Sequence, residues 1–583
     1  MRFKIPSRRA VLFAVGALAI SGHAFALNPG DTVDDFRLID HQGVSHELYY
    51  LSDMKAVVIM AQGNGCDVSQ ANAKVLEELR TKYQSQGVEF RLINSNLTDT
   101  REAIAKEATA SGINFPILVD ESQLIGESLG FTKTGEVLVL DTQGWKVAYH
   151  GAVANKGTNY VGDALDAIVK GAPVKTASTA AVGCTIAMPE RDKKAAHAQI
   201  SYENTIAPML IDKCVTCHRE GGIGPWQMSS YDMVRGFAPM VREVVRTQRM
   251  PPWHADPHYS TFSNNRGLTT AQAQTLVHWI EAGAPRGNGN DPLLSQRKDW
   301  PKWALGEPDL VVEMPAFTTP ASGAIPYQNV QVANPLDHDV WVRAVDFLPG
   351  QRSVLHHIIA TVGGRIRATI SLNNYVPGAE PLQIPEGNGI LLPAKTKFHF
   401  QMHYTSNGQV LTDVTRMGLY FMKDAPEHSY RSLIFAQLRL KIPAGDKWHS
   451  ETAERTLTED AIVYSLHPHA HFRGKASSFV AHYPDGRHET LLNVPAYDFN
   501  WQSTYELTKP LPVPAGTKIV YTQVFDNSTQ NKANQDPTRT VTWGEQTWDE
   551  MVFGVVRYRN VIEPKSEGKA KGPRQAELFS TGG

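Results

Sequence analysis

Between Ala461 and Phe472 the chain alternates with a period of two. Ala461, Val463, Ser465, His467, His469 and His471 share one parity, and Ile462, Tyr464, Leu466, Ala470 and Phe472 share the other. Successive side chains of a strand point to opposite faces, so this stretch predicts a strand with its histidines along one face and the second parity packed into a core. An H-x-H pair on a strand aims two imidazoles the same way, about 6 to 7 Å apart at their origins, a spacing that suits one metal ion. The period recurs in 397–406, where Phe398, Phe400, Met402 and Tyr404 form an apolar face against His399, Gln401 and His403. In "VLHHIIATV" (354–362) two histidines are adjacent, and a regular strand would send them to opposite faces. Both can reach one ion only if that strand is bulged or ends there. Residues 305–563 read throughout as short strands divided by Gly, Pro, Asn and Asp turns, which predicts two β-sandwiches, at 305–430 and 431–565.

Upstream the pattern changes twice. Residues 27–186 alternate strand and helix signals: a buried strand at 56–62, an amphipathic helix at 70–86, a strand at 88–96, and a hairpin around Gly144 in 136–151. That order is α/β. Residues 195–290 carry helical flanks, "ENTIAPMLIDK" and "TTAQAQTLVHWIEAGAP", and a polar, proline-bounded linker follows at 291–300. The expected architecture is multidomain, with an α/β domain, an all-α domain and two all-β sandwiches of jelly-roll type. A length of 583 residues requires several cores.

Composition adds a location and removes some partners. The formal net charge of −2 gives no electrostatic reason to invoke nucleic acid. No apolar run approaches the ~20 residues that span a bilayer. Arg2, Lys4, Arg8 and Arg9 precede an apolar stretch from Ala10 to Ile20 and the small-residue site "AFA" (24–26), which reads as a signal peptide over 1–26 and predicts a periplasmic protein.

The chain has four cysteines. "CVTCH" (214–218) is the CxxCH attachment motif for a c-type haem, with thioether bonds at Cys214 and Cys217 and His218 as an axial ligand. Met250 in "RMPPW" is the expected second axial ligand, because two prolines stiffen its loop. Met228, Met233, Met240 and His254 are its rivals. Cys66 and Cys184 remain as one candidate disulfide. In the β-region no cysteine is left to complete a structural zinc site, whereas imidazoles suit copper and a thioether, for which Met551 is the candidate, favours Cu(I).

Two resemblances follow from these motifs. "GNGCDVSQ", "FPILVD" (115–120) and "GEVLVLDTQGWKVAYHG" resemble the thioredoxin-like redoxin and peroxiredoxin group, with Asp67 and Gly135 where that group has prolines. "HH", "MHYTSNG", "HAHFRGK" and "DEM", in that order over the last 280 residues or so, resemble the copper type II ascorbate-dependent monooxygenases. The resemblance implies one copper at His356, His357 and His403 that transfers electrons. It implies a second at His469, His471 and Met551 that activates O2 for insertion into a C–H bond, the two lying across a solvent cleft. His467, Phe553 and Val555 stand where the peptide-hydroxylating members recognise a carboxylate, which points to a small, more apolar substrate. The expected function is a dicopper monooxygenase fed through its own haem by an external electron donor. The alternatives are a non-oxygenase copper and electron relay, and a thiol oxidoreductase or peroxidase centred on Cys66.

Overall fold

The computed structural model describes residues 27–155, 157–295, 302–363, 370–378 and 380–562. The expected signal peptide, and the linker residues 296–301, lie outside them. The first domain is a five-stranded sheet in the order Ile117–Val119, Val88–Asn94, Ala56–Gln62, Glu136–Asp141, Lys146–Ala152. The first three strands are parallel and the last two antiparallel. Ala56–Gln62 is buried along its whole length because apolar clusters cover both faces of the sheet. The helix read at 70–86 runs Asp67–Tyr83, with Cys66 as its N-cap. The hairpin turns through Gly144 and Trp145, both at positive φ.

Short helices follow: Ala207–Lys213, Tyr231–Gly236, Ala238–Arg246 and Thr270–Glu281, the last closed by a Thr269/Gln272 capping box. Their core is Tyr202, Ile206, Leu210, Leu276 and Trp279. The rest is all-β. One sandwich packs Gln328–Ala333, Lys397–Tyr404, Leu355–Val362 and Ile370–Tyr375 against a sheet containing Asn388–Leu392, Val340–Leu348, Arg416–Phe421 and Leu310–Glu313. The other packs Arg431–Ala436, Phe553–Asn560, Ala461–His469 and Tyr505–Val513 against His449–Thr456, Lys518–Phe525, Gly474–His482 and His488–Val494.

The strand read at 461–472 departs from its pattern in two ways. It ends at His469, leaving His471 in the turn beyond, and its register shifts between Val463 and Ser465. The bulge exchanges the faces. Ala461 and Val463 lie in the core of their sandwich, as do Leu466 and Ala470, although the two pairs have opposite parity. Tyr464 instead packs against the core of the first sandwich.

The sandwiches are tied through Arg557, whose buried guanidinium donates to Ser371 O (2.9 Å), Leu372 O (3.2 Å) and the hydroxyls of Ser371 and Ser432. The α/β domain docks on the helical segment and the second sandwich. There Arg101 pairs with buried Asp256 at 2.8 Å, Asp256 also accepts from Asn493, and Tyr50 donates to Asp526 at 2.6 Å.

Candidate functional site

A register shift in the first sandwich lies between Leu355 and His357, where His357 pairs with His403 on the neighbouring strand and His356 is the extra residue. This is the bulge that adjacent histidines need to face one centre. Donor nitrogens of His356, His357 and His403 all lie within 4.8 Å of one another. Nδ1 of His356 is 3.4 Å from Nδ1 of His357, while Nε2 of both rings and Nδ1 of His403 are buried without a partner.

The other three predicted ligands adjoin this trio directly. The ring of His469 is 6.1 Å from that of His357 and 5.4 Å from that of His471. His469 holds the Gln502 side-chain oxygen through Nδ1, and His471 donates through Nδ1 to the Asp549 carbonyl at 3.0 Å. In both cases Nδ1 is engaged, which leaves Nε2 as the ligand atom, and that of His471 is buried and unpartnered. His469 pairs with Phe553, and the backbone N–H groups of His471 and of Met551, itself buried, share one oxygen of Glu550. Among the described residues the two groups adjoin, with His357 and His469 side by side, rather than standing apart across a cleft. Tyr327 packs on His403 and His357, and Phe499 stacks on His356 at 4.8 Å and meets His471 at 6.1 Å.

Burial drives these histidines below their ordinary value, with neighbouring imidazoles adding to it at His356, His471 and His403: His356 and His469 to about 4, His471 to about 3, His403 to about 2. They are neutral at any physiological pH and keep a lone pair for a metal. Unpartnered nitrogens, neutral rings and a nearby thioether fit copper.

His467 and His399 fall outside the cluster. His467 contacts Thr504 (3.2 Å) and Asn374 (3.5 Å) through its two ring nitrogens, and His399 sits partly exposed farther along its strand. His467 and Phe553 do line a small cavity beside His469, with Asn374, Val376 and Gln502, of about 10 Å3, room for a single water. Val555 does not reach it; it pairs with His467 within the sheet.

Glu550 was not singled out by the sequence, though it lies inside the quoted "DEM". Its fully buried carboxylate accepts the backbone N–H groups of His471 (2.8 Å), Arg473 (2.7 Å) and Met551 (3.4 Å). It fixes the two turns that carry His471 and Met551 to each other. Gln502, Tyr327 and Phe499 also carry no signal of their own, since single residues far apart in sequence show no period or spacing.

At the CxxCH motif His218 donates through Nδ1 to the Trp226 carbonyl at 3.0 Å, leaving Nε2 for an axial bond. Cys214 and Cys217 are free thiols, and burial raises Cys214 to about 12. These residues fit a covalent haem. Met250 lines a cavity of about 340 Å3 between the α/β domain, the helices and the second sandwich, whose walls include none of Cys214, Cys217 and His218. His254 lies on the same wall, its buried Nε2 unpartnered. Met233 and Met240 are exposed, and Met228 is buried with its N–H on the His218 carbonyl (2.9 Å).

Cys66 and Cys184 form a disulfide. Thr134 lies across it, donating to Cys66 Sγ at 3.0 Å and accepting the Cys184 N–H at 3.2 Å. The chain at Gly183 runs so close that a Cβ there would collide with the Thr134 carbonyl oxygen. Cys66 is buried, whereas Cys184 is exposed.

Residues 28–168 match the Redoxin family. Over 119 residues the chain is 28% identical to the thiol-disulfide oxidoreductase ResA of Geobacillus thermodenitrificans, a span of 20% of this chain and 67% of that protein. Similar solved structures include a hypothetical protein of Sinorhizobium meliloti 1021 (27% identity, 27% of this chain and 94% of that one, TM-score 0.26) and the peroxidoxin BcpB of Mycobacterium tuberculosis (22%, 25% and 97%, TM-score 0.22). By this match and the order of its strands and helices, the chain carries a thioredoxin-like redoxin domain over residues 28–168, joined to a large all-β region.

Proposed function

We propose that the chain is an exported, periplasmic dicopper monooxygenase that hydroxylates a C–H bond of a small organic substrate with O2. It would draw electrons from an external donor through a haem at Cys214, Cys217 and His218, with Met250 as second axial ligand. The observation that carries this reading is the convergence of five predicted histidine ligands, from three separate segments, into one buried cluster with unpartnered nitrogens. His356, His357 and His403 would hold one copper, and His469, His471 and Met551 the other. Copper bound there supplies O2 activation and single-electron transfer. The chain's own residues do the rest. Burial keeps the imidazoles unprotonated, and Gln502 and the Asp549 carbonyl fix the orientation of His469 and His471. Tyr327 and Phe499 exclude water, and Phe553 with His467 presents a partly apolar wall beside His469.

The test is copper and haem content of the mature protein beside His469→Ala and Met551→Ala under one copper-loading protocol, followed by O2 uptake with candidate substrates. About two coppers per haem, falling towards one in His469→Ala, with altered Cu(I) binding in Met551→Ala and substrate-dependent O2 consumption, is the expected result. One copper or none beside normal haem would leave an electron-relay protein. A second reading, thiol-disulfide exchange, is favoured by the exposed Cys184 end of the disulfide in a domain similar to ResA. If it holds, Cys66→Ser abolishes activity that the copper-site variants retain.

A further inference from the structure

A second cluster of metal-binding side chains lies far from the β-region, where the redoxin domain meets the helices. Four elements contribute to it. Glu127 comes from the helix Leu124–Ser128, Glu190 from the segment after Cys184, His197 from Lys194–His197, and His278 from Thr270–Glu281. The two imidazoles are stacked, with centroids 4.1 Å apart and planes 8° from parallel. His278 Nε2 is 2.8 Å from one Glu127 oxygen, and His197 Nε2 is 3.4 Å from Glu190 Oε2. Donor atoms of Glu190, His197 and His278 lie within 4.8 Å of one another. Both histidines are buried and the Glu127 side chain is 10% exposed, yet its Oε1 has no hydrogen-bond partner. Lys193 takes the other oxygen of Glu190, Oε1, at 2.7 Å, which leaves Oε2 facing His197.

We propose that Glu127, Glu190, His197 and His278 form a site for one divalent transition-metal ion, zinc being the best match. Two carboxylates and two imidazoles neutralise a divalent charge and supply the four N/O ligands that zinc takes. Metal–ligand bonds of about 2.0 to 2.2 Å place tetrahedral ligands roughly 3.3 to 3.6 Å apart. The Glu190–His197 separation already has that value, the donors of Glu190, His197 and His278 span at most 4.8 Å, and Glu127 joins them as its carboxylate turns from the 2.8 Å contact with His278 Nε2 towards the ion. An ion there supplies the partner that the unpaired Glu127 oxygen lacks, since a buried carboxylate oxygen without a donor is costly. It also stitches the redoxin domain to the helix that follows the haem motif, because Glu127 lies in the first and His278 in the second.

The experiment is zinc content and Co2+ absorption of the full mature chain after dialysis against each ion alone, for wild type, Glu190→Gln, His278→Gln and His357→Ala. The expected result is that Glu190→Gln and His278→Gln each lose one zinc equivalent and the visible Co2+ bands of a four-coordinate N/O site, and that His357→Ala, whatever ion its own histidine group gives up, keeps that equivalent and those bands. Glu190 is the most exposed ligand, so Glu190→Gln reports even if His278→Gln fails to fold. Unchanged zinc content and Co2+ bands in Glu190→Gln, or bands lost only in His357→Ala, would overturn the proposal.

Discussion

The substitution Glu550→Gln tests whether the turns carrying His471 and Met551 are held by a carboxylate. Burial pushes this carboxyl up to about 8, against the pull of three backbone N–H groups and Arg473. All three contacts are donors, so both oxygens must accept. An amide has one acceptor. In its better orientation it keeps the N–H groups of His471 and Met551 and turns an NH2 on the N–H of Arg473. Leaving that group unsatisfied costs about 1 to 3 kcal/mol, and the retained bonds lose their charge assistance, about half their strength. The sum is roughly 2 to 4 kcal/mol of local stability, which at 1.36 kcal/mol per decade is about a 30- to 1,000-fold loss of protection. Hydrogen exchange on the copper-free protein above pH 8, where the carboxyl is ionised, reads it directly, in peptides covering 470–474 and 549–552, with the strand Ala56–Gln62 as unchanged reference. A change below threefold would mean that the group acts as a neutral acid, for which glutamine is a fair copy, and would refute the reasoning.

Other expectations concern the joints between domains. Arg557→Met removes a guanidinium three of whose four contacts link the sandwiches; each buried carbonyl left unpaired, of Ser371 and of Leu372, should cost about 1 to 3 kcal/mol, read as a lower urea midpoint for the β-region. Hydrogen bonds from His258 to Asp256 and Glu121 raise the histidine to about 9. Its contribution to docking is full below its ordinary 6.5 and is lost as pH rises through 9. Burial opposes ionisation of Asp256, but His258 and Arg101 hold it at about 2, so its contribution is present above 3.8 and lost as pH falls through 2. The melting temperature should plateau between pH 4 and 6.5 and decline above it, and His258→Gln should flatten the upper limb. Cys184→Ser opens a disulfide between residues 118 apart, and the redoxin domain should lose about 2 to 5 kcal/mol, read by its thermal transition.

Much of this was legible because period-two patterns and short motifs are local. The strand at 56–62, the apolar face of 397–404 and the need for a bulge at His356 all follow from side-chain alternation. The face of 461–472 was misread for a physical reason: one extra residue near Tyr464 reverses every face assignment before it, and nothing in the identities of Val463, Tyr464 and Ser465 marks where the extra residue falls. The closeness of the two histidine groups was also out of reach, since it is set by how two sandwiches pack, through Arg557, Tyr327 and Phe499. Glu550 stood in plain view, but an acidic residue beside a methionine reads as surface until its three backbone partners are known.

That bulge has a practical consequence. With the extra residue in place, one strand serves its own sandwich through Ala461, Val463, Leu466 and Ala470 while offering His467 and His469 to the other. Deleting Tyr464 would restore unbroken pairing with Phe553–Asn560 and, with the C-terminal half held in register, turn Ala461 and Val463 outward; with the N-terminal half held instead, both histidines would rotate into the oil of the core. No side-chain substitution can imitate either outcome. When sequences of this kind are aligned, a single gap at this point therefore separates chains that could assemble the cluster from chains that merely contain its letters.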